Sequence, residues 1–297
     1  MASEYGPIKR VVLLVNGHKP EAVRYAGEAA EVLRQNGIEF FAPGRQTIGP
    51  EGYSGNEVML LAQDLSAVPR EDLPQLAIVF GGDGTMILAA RALSPFGVPL
   101  TGVNLGGLGF LMPLEPDELP GILLQIVQGE YYLEKRTQIR GELWRGGRPV
   151  AADIAQNDIV INNGGISRMI GIKLCVDGRP ALTMRGDGVV VATPTGSTAY
   201  SLSAGGSIVM PETEVMLVTP VAAHSLHTRP LVVSAGSSLS ITLGNINSPV
   251  LLSFDGQHFL DVEPDDEIVI RQSESRALFV WPRAGMFFDK LNAKLRI

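Results

Sequence analysis

The sequence has little of several features that would assign it to other classes of protein. It contains one cysteine, Cys175, which excludes an intrachain disulfide and favours a reducing compartment. Its four histidines have no cysteine partners at zinc-ligand spacing, so there is no zinc-site signature. No apolar run approaches the length of a bilayer span, and the N-terminal segment has no apolar signal core. The sequence therefore predicts a cytoplasmic protein with no membrane partner.

Positive charge is also scarce in this sequence. Its 24 lysines and arginines are outnumbered by 31 aspartates and glutamates, which gives a formal net charge of −7. A nucleic-acid-binding protein normally carries a basic face, so this balance argues against a nucleic-acid partner. Any phosphate group must therefore be bound by a local arrangement. The rest of the composition, with 45% hydrophobic and 19% charged residues in 297, is typical of a globular chain of about two domains.

The most informative stretch runs from Leu76 to Ala90. The apolar run Leu76 to Phe80 suits a strand buried on both faces of a parallel sheet, and a helical pattern resumes directly after Gly81-Gly82-Asp83-Gly84-Thr85. Glycines allow a tight turn and let a ligand approach without a Cβ in the way. The N–H groups at the start of the following helix favour phosphate. The predicted phosphate-binding residues are Gly81, Gly82, Gly84 and Thr85.

Asp83 is out of place in a turn that is built to receive anions. A carboxylate there repels phosphate unless it accepts a proton, holds a hydroxyl or binds a metal. The alternative is that Asp83 is only a turn residue or a helix N-cap, since aspartate favours both positions. Both interpretations are open from these five residues, because short motifs produce false matches.

Strands and helices alternate up to about Gln128, which predicts a parallel, Rossmann-like sheet. After Gly129 the segments become strand-like, among them Tyr131 to Trp144 and Pro149 to Asn162, with no strong amphipathic helix between them. The last stretch, Phe287 to Leu295, again has a helical pattern and is expected to return to the first domain.

The predicted fold is therefore an α/β N-terminal domain with a parallel sheet, followed by a mostly-β C-terminal domain. The N-terminal domain is expected to comprise residues 1–129 with 276–297, and the C-terminal domain residues 130–275. Ligands of parallel α/β sheets bind beyond the carboxyl ends of the strands, which is where Asp83 is expected to lie.

Three stretches of the β-rich half carry more polar residues than a core requires. Gln156-Asn157-Asp158 suits the binding of sugar hydroxyls, because amides and a carboxylate together supply hydrogen-bond donors and acceptors. An equal alternative is that these side chains only satisfy one another's hydrogen bonds at the end of a strand. Arg185 to Gly206 is crowded with hydroxyls and glycines that suit a polar ligand, and Tyr200 is placed to stack on a base. Its alternative is a surface loop rich in serine and threonine. His224, in the third stretch, is interpreted as a structural histidine.

The order and spacing of these stretches resemble NAD kinase. The resemblance rests on Gly81 to Thr85, Asn157-Asp158, Asp187 and Thr193 to Tyr200, and extends from about Ile8 to about Asp289. It also includes the segments Leu108-Gly109-Phe110-Leu111 and Asp255-Gly256-Gln257. The glycine motif alone is shared with lipid kinases and 6-phosphofructokinases. The long run from Thr193 to Tyr200 is not, and it makes the resemblance specific.

The resemblance implies a kinase with a site between an α/β and a β domain. Such an enzyme transfers the terminal phosphoryl group of ATP, or of inorganic polyphosphate, to the 2′-hydroxyl of the adenosine ribose of NAD, and so forms NADP. It requires a divalent cation, usually Mg²⁺, and forms homodimers or homotetramers. The resemblance does not indicate which residues hold the metal.

The resemblance also implies roles for individual residues. Asp83 corresponds to the proton acceptor and also contacts NAD, Gly84 lies against NAD, and Asn157 and Asp158 hold ribose hydroxyls. The family more often has Asn-Glu in place of Asn157-Asp158, so the shorter carboxylate must lie closer to the ribose or act through a water. The other implied NAD-binding residues are Arg168, Arg185, Asp187, Thr198, Ala199, Tyr200, Ser201, Leu202, Ser203, Ala222 and Gln257.

Two other functions are open from the sequence. A lipid or sugar kinase shares the glycine turn, but that function does not explain the hydroxyl-rich run from Thr193 to Tyr200. A sensor that binds NAD or NADP without turnover has no use for Asp83. Both donors, ATP and polyphosphate, and both acceptors, NAD and NADH, are compatible with these residues.

Overall fold

A computed structural model describes residues 6–42, 65–107, 109–164, 169–225, 227–244 and 249–295 of the chain. The chain divides into two compact units, Met1–Arg136 with Arg276–Ile297, and Thr137–Ser275. The limits of independently folding domains, at residues 129/130 and 275/276, stay predictions. Within the described residues, no helix is both long enough and apolar enough to cross a membrane.

The first unit contains a parallel sheet with helices packed on it. Its strands and helices are β1 (Arg10–Val15), α1 (Pro20–Gln35), β2 (Glu39–Phe41), β3 (Leu76–Gly81), α2 (Asp83–Leu93), β4 (Leu100–Asn104), α3 (Leu119–Val127) and α5 (Met286–Leu295). The strands lie in the order β2, β1, β3, β4, and the last strand of the chain pairs in parallel with β4 at Phe279 and Leu100. The predicted parallel α/β fold of the N-terminal half is confirmed.

Helices cover both faces of this sheet because its strands are apolar on both sides. Every residue of β3 is buried. Residues that point to one face, such as Ile78, pack with α1 and α3, whereas those on the other face, such as Val79, pack with α2. The arrangement leaves the carboxyl ends of the strands as the place where loops meet.

The second unit is built from antiparallel sheets. Its strands and its short helix are β5 (Tyr132–Arg145), β6 (Arg148–Ala155), β7 (Asp158–Asn162), β8 (Ile170–Val176), β9 (Arg179–Gly186), β10 (Gly188–Ala192), α4 (Tyr200–Ser203), β11 (Val215–Val221), β12 (Leu231–Ser234), β13 (Leu239–Leu243), β14 (Val250–Phe254), β15 (His258–Val262) and β16 (Glu267–Trp281). The first residues of β5 and the last residues of β16 belong to the first unit. One sheet has the strand order β12, β11, β10, β7, β14, β15, and in another β13 pairs with β8 and with the first part of β16. The predicted mostly-β C-terminal half is confirmed.

Branched and aromatic side chains of the two sheets form the core of the second unit. Ile161 of β7 and Val189 of β10 pack in the same cluster as Ile172 of β8 and Ile241 of β13. These residues alternate with others along their strands, as expected for sheets that bury one face against each other. The core therefore lies between the sheets, and the strand ends carry the loops.

The segment from Pro149 to Asn162 is two strands rather than the single strand predicted from its pattern. β6 ends at Ala155 and β7 begins at Asp158, so the break falls on Gln156 and Asn157. Gln156 itself is fully buried, and apolar strand residues lie on either side, so the sequence pattern does not mark the break. At the break, the backbone N–H groups of Gln156 and Asn157 donate to the Asp255 side chain.

The final helix, α5, belongs to the first unit, as predicted for Phe287 to Leu295. The ring of Phe287 lies 6.4 Å from that of Phe110, centroid to centroid. Lys290 Nζ lies 3.5 Å from Glu115 Oε1 in the same unit. The chain therefore returns to the first unit through an aromatic contact and an ion pair.

Candidate active site

The predicted turn between a strand and a helix is present at the carboxyl end of β3. β3 ends at Gly81, Gly82 is the N-cap of α2, and Asp83 is the first residue of that helix. The first intrahelical bond runs from Met86 N–H to Gly82 O at 3.1 Å. Because the first turn of a helix presents N–H groups without intrahelical partners, the turn has the geometry of an anion site.

The Asp83 side chain does not cap its own helix. Its Oδ2 accepts a hydrogen bond from the backbone N–H of Phe110 at 2.8 Å, and its Oδ1 accepts one from that of Leu111 at 3.1 Å. These two bonds fix the plane of the carboxylate. The interpretation of Asp83 as an N-cap is therefore wrong for this chain, because Gly82 occupies that position.

Gly109 is required for this approach. A Cβ on Gly109 would lie 2.2 Å from Asp83 Oδ1, far inside van der Waals contact. The segment that follows β4 is therefore a close backbone contact to the Asp83 carboxylate and not a dinucleotide-binding turn with a helix behind it. Leu108 lies outside the described residues.

Two residues that follow β1 reach the glycine turn, and the sequence interpretation missed both. Asn16 Nδ2 donates to Thr85 Oγ1 at 3.2 Å, and Lys19 Nζ donates to Leu105 O at 2.5 Å. β1 is the parallel neighbour of β3, so the loops after both strands meet at the same sheet edge. The sequence did contain a signal for these two residues. Asn16 and Lys19 directly follow the first predicted strand, and loops that follow parallel strands lie at the edge of the sheet where ligands bind.

In the second unit, Asp255 holds the break between β6 and β7. Its Oδ2 accepts the N–H of Gln156 at 2.9 Å, and its Oδ1 accepts those of Asn157 at 2.7 Å and Asp158 at 3.0 Å. Asp255 adopts the left-handed backbone conformation with φ of 51°. The carboxylate thus satisfies three successive N–H groups that the sheet does not pair.

Asn157 and Asp158 are brought together at this break, but their polar atoms have different surroundings. Asn157 Oδ1 is buried and has no hydrogen-bond partner within the described part of the chain. Buried carbonyl oxygens are normally paired, so an orphaned one marks a place where a ligand or water donates. The Asp158 side chain is 5% exposed. Burial, with the nearby Asp255 carboxylate, raises the pKa of Asp158 to about 7.

This raised pKa gives a signed prediction for stability. The folded chain holds the Asp158 proton above the usual pKa of 3.8, so the unfolded chain binds fewer protons between about pH 4 and 7. The contribution of Asp158 to the free energy of unfolding therefore falls as pH rises through that window. Asp158→Asn is expected to flatten the decline in urea-unfolding free energy between pH 4.5 and 7.5, whereas Asp261→Asn, at an exposed carboxylate on β15, is not. Equal slopes for the wild type and Asp158→Asn contradict the prediction.

The run from Thr193 to Tyr200 packs directly on Asn157. Thr193 Oγ1 donates to Gln156 O at 2.6 Å and accepts the N–H of Gly196 at 3.1 Å. A Cβ on Gly196 would lie 2.0 Å from Asn157 O. The run is therefore not a surface loop rich in serine and threonine, because Thr193, Thr195 and Ser197 are buried.

Several hydroxyls of this run and of the helix α4 that follows it make hydrogen bonds within the unit. Thr198 Oγ1 donates to Thr195 O at 3.2 Å, Ser201 Oγ lies 2.8 Å from Thr219 Oγ1, and Ser197 Oγ bonds both backbone groups of Val209. Tyr200, by contrast, is 42% exposed. The residues of the run and of the short helix α4 that were expected to contact NAD and are exposed or half-buried are Thr198, Ala199, Tyr200, Leu202 and Ser203.

The other expected NAD-binding residues of this unit lie at two ends of β10. β10 pairs with β7 through Ala192 opposite Asp158, and with β11 through Gly188 opposite Val221. Arg185, Asp187 and Ala222 therefore lie at the Gly188 end, where the N–H of Asp187 donates to Val221 O at 3.0 Å. Gly188 and Ala192 are four residues apart, and at about 3.3 Å a residue the two ends are roughly 13 Å apart.

The remaining residues that the sequence singled out are Gln257, His224 and Arg168. Gln257 is exposed in the turn after Phe254, at the Asp158 end of the sheet. His224 is exposed and its backbone N–H donates to Arg185 O at 2.8 Å, so its side chain is not a buried structural group. Arg168 lies outside the described residues.

The described residues contain no group of three or more histidine, cysteine, aspartate or glutamate side chains arranged to hold a metal ion. Mg²⁺ is commonly bound through one or two carboxylates together with substrate phosphates, and it keeps several waters. Asp83 at the glycine turn is a carboxylate of that kind. The residues therefore fit a divalent cation that arrives with a phosphate chain rather than one held in an all-protein cage.

Comparison with known proteins gives consistent matches over both halves of the chain. The family model of the ATP-NAD kinase N-terminal domain matches residues 11–131, and that of the C-terminal domain matches residues 156–281. The NAD kinase of Geotalea daltonii is 35% identical over 97% of this chain and 99% of the relative. The NAD kinase of Koribacter versatilis is 36% identical over 97% and 98%.

Solved structures agree with these relatives. A yeast NADH kinase complexed with NADH matches with a TM-score of 0.83 and 25% identity, covering 98% of this chain and 89% of that one. An NAD kinase from Archaeoglobus fulgidus in complex with ATP matches with a TM-score of 0.72 and 25% identity, covering 97% and 98%. The two domain models, the curated relatives and these folds give one answer, which confirms the resemblance: the chain belongs to the NAD kinase family, whose members are enzymes that phosphorylate NAD.

Proposed function

We propose that this chain transfers the terminal phosphoryl group of ATP, or of inorganic polyphosphate, to the 2′-hydroxyl of the adenosine ribose of NAD. The observation that carries the proposal is the Asp83 carboxylate, which two backbone N–H groups orient at the start of α2. A ribose hydroxyl is a poor nucleophile at neutral pH. A positioned carboxylate that accepts its proton accelerates such a reaction by about 10² to 10⁴.

The glycine turn is proposed to bind the phosphates of the donor. Phosphoryl transfer requires positioning and neutralisation of charge more than covalent participation by the protein. The groups proposed for this task are the backbone N–H groups of the turn and the hydroxyl of Thr85, which Asn16 orients at 3.2 Å. The proposed phosphate-binding residues are Gly81, Gly82, Gly84 and Thr85. A divalent cation, which we infer to be Mg²⁺ bound with the donor phosphates, supplies further positive charge there.

The break between β6 and β7 is proposed to bind the ribose. The Oδ1 of Asn157, which is buried and has no hydrogen-bond partner among the described residues, is suited to accept a hydrogen bond from a ribose hydroxyl. With a pKa of about 7, Asp158 can donate or accept a hydrogen bond near neutral pH. The low exposure of Asp158 fits a carboxylate that is one methylene shorter than the glutamate more common in the family. The other residues proposed to contact NAD are Asp83, Gly84, Arg168, Arg185, Asp187, Thr198, Ala199, Tyr200, Ser201, Leu202, Ser203, Ala222 and Gln257.

The direct test is incubation of the purified chain with NAD, ATP and Mg²⁺. NADP is measured with an NADP-specific dehydrogenase, and a parallel reaction contains polyphosphate in place of ATP. In a further reaction NADH replaces NAD, and its product, NADPH, is measured by its oxidation with an NADPH-specific enzyme. Formation of NADP or NADPH supports the proposal, and the comparison identifies the donor and the acceptor. Binding of NAD with no product in any reaction favours a sensor instead.

The cellular location and the oligomeric state of the protein are also proposed. We infer a cytoplasmic location, because the one cysteine, Cys175, is a free thiol that suits a reducing compartment. We also infer a homodimer or homotetramer, the assembly that the resemblance to NAD kinase implies. Light scattering after size-exclusion chromatography measures the second property, and a monomeric mass at assay concentration contradicts it.

A further inference from the structure

A lysine lies beside the glycine turn, in addition to the residues proposed above. Lys19 follows β1, the parallel neighbour of β3. Its Nζ and the Cα of Gly82 lie 3.4 Å and 3.9 Å from the point that a Cβ on Gly106 would occupy. Asn104 Oδ1 also lies 3.9 Å from that point. Because residue 106 is glycine, it places no side chain between the ammonium group and Gly82.

The ammonium group of Lys19 is held by the same backbone that supports the turn. Nζ donates to Leu105 O at 2.5 Å, and the N–H of Leu105 donates to Gly81 O at 2.7 Å. An ammonium group has three N–H donors, so this carbonyl leaves two for another acceptor. The fold therefore fixes the position of the Lys19 side chain and leaves two of its N–H donors available to a ligand.

No carboxylate neutralises Lys19 within the described ranges of the chain. The carboxylate of Asp83 accepts its hydrogen bonds from Phe110 and Leu111. Glu115 lies 3.5 Å from Lys290. In a chain with a net charge of −7, a half-buried cation that has no ion pair among the described residues and lies at a predicted phosphate site is well suited to bind an anion.

We propose that Lys19 binds the phosphate chain of the phosphoryl donor, whether a nucleoside triphosphate or inorganic polyphosphate. The proposal rests on the proposed function. In the transfer, the bond between the terminal phosphorus and its bridging oxygen breaks, and a bond from the ribose 2′-oxygen to that phosphorus forms. The hydroxyl proton passes to the Asp83 carboxylate, and the electron pair of the broken bond stays on the departing phosphate. Lys19 stabilises the negative charge of that phosphate.

The test replaces Lys19 with methionine, which keeps the length of the side chain and removes its charge. We expect KM for ATP to rise by about tenfold to a hundredfold, with a lower kcat, because a hydrogen bond to a charged group is lost. The affinity for NAD and the melting temperature are expected to stay at wild-type values. Lys19→Arg keeps the charge and is expected to restore much of the loss.

Lys9→Met is the matched control, since Lys9 is an exposed lysine that precedes β1, at the end opposite the glycine turn. It removes the same charge and is expected to leave both kinetic constants unchanged. Calorimetric titration with inorganic tripolyphosphate, without NAD, measures the same contact in the absence of turnover. Weaker binding by Lys19→Met than by Lys9→Met supports the proposal.

Two outcomes overturn the assignment of Lys19. Equal ATP kinetics and equal tripolyphosphate affinity in Lys19→Met and the wild type show that the ammonium group does not bind the donor. A lower melting temperature with weakened NAD binding assigns Lys19 to the fold instead. Failure of the proposed function is a different result, because then the wild type itself forms no NADP from either donor.

Discussion

Replacing Asp83 with asparagine is expected to lower kcat for NAD phosphorylation by at least about 100-fold, and by as much as about 10⁴-fold, the range for a positioned general base. The amide cannot accept the ribose proton at neutral pH. It nevertheless has the shape of the carboxylate and retains one oxygen to accept a hydrogen bond from Phe110 or Leu111. The fold and the affinity for NAD are therefore expected to persist.

The measurement combines steady-state NADP formation, NAD titration by calorimetry and thermal unfolding. Asp117→Asn is the matched control, since Asp117 is an exposed acid in the short turn before α3. Near-normal turnover of Asp83→Asn contradicts the role of Asp83 as base. A large drop in melting temperature, in contrast, makes its two backbone hydrogen bonds the main contribution of this residue.

The second large effect is expected at Gly196. Alanine at this position places a Cβ 2.0 Å from the backbone oxygen of Asn157, so the backbone itself must move. Because overpacking typically costs about 1 to 3 kcal/mol and a backbone atom cannot rotate away, we expect Gly196→Ala to lower the free energy of unfolding by at least about 3 kcal/mol. The shift of Asn157 is expected to weaken NAD binding at least tenfold, by roughly 1.4 kcal/mol.

Gly236→Ala is the control in the same unit. The added Cβ there lies 3.8 Å from Ser234 Oγ, which is ordinary van der Waals contact. Urea unfolding and NAD titration of both variants separate a specific clash from a general effect of removing glycine. If Gly196→Ala binds NAD like the wild type, the run from Thr193 to Tyr200 does not set the position of Asn157.

The elements that the sequence predicted well are those that local pattern determines. A run of five apolar residues followed by three closely spaced glycines leaves few alternatives to a buried strand, a tight turn and a helix, and Leu76 to Leu93 forms these elements. The alternation of strands and helices likewise determined the parallel sheet. The resemblance to NAD kinase depended on similar short stretches, each of which is contiguous in the chain.

The contacts that the sequence did not predict join residues far apart in the chain. Asp255 bonds the backbone of Gln156 across 99 positions, and Asp83 bonds that of Phe110 across 27. The break in the strand at Gln156 and Asn157 lies at such a contact. It was not predicted, because apolar residues flank it on both sides and the local pattern therefore resembles one continuous strand. Lys19 was overlooked for the same reason, since a lysine after a strand has no local pattern that distinguishes it from a solvated surface residue.

The hydrogen bonds and backbone of Asp255 together restrict what evolution can place at that position. A left-handed φ of 51° is tolerated by glycine and asparagine, but neither offers a carboxylate. Glutamate offers a carboxylate, but it is longer and disfavours that conformation. Aspartate alone combines a carboxylate of this length with tolerance of the left-handed conformation. Among homologous chains that retain this break between two strands, position 255 is therefore expected to be aspartate almost without exception.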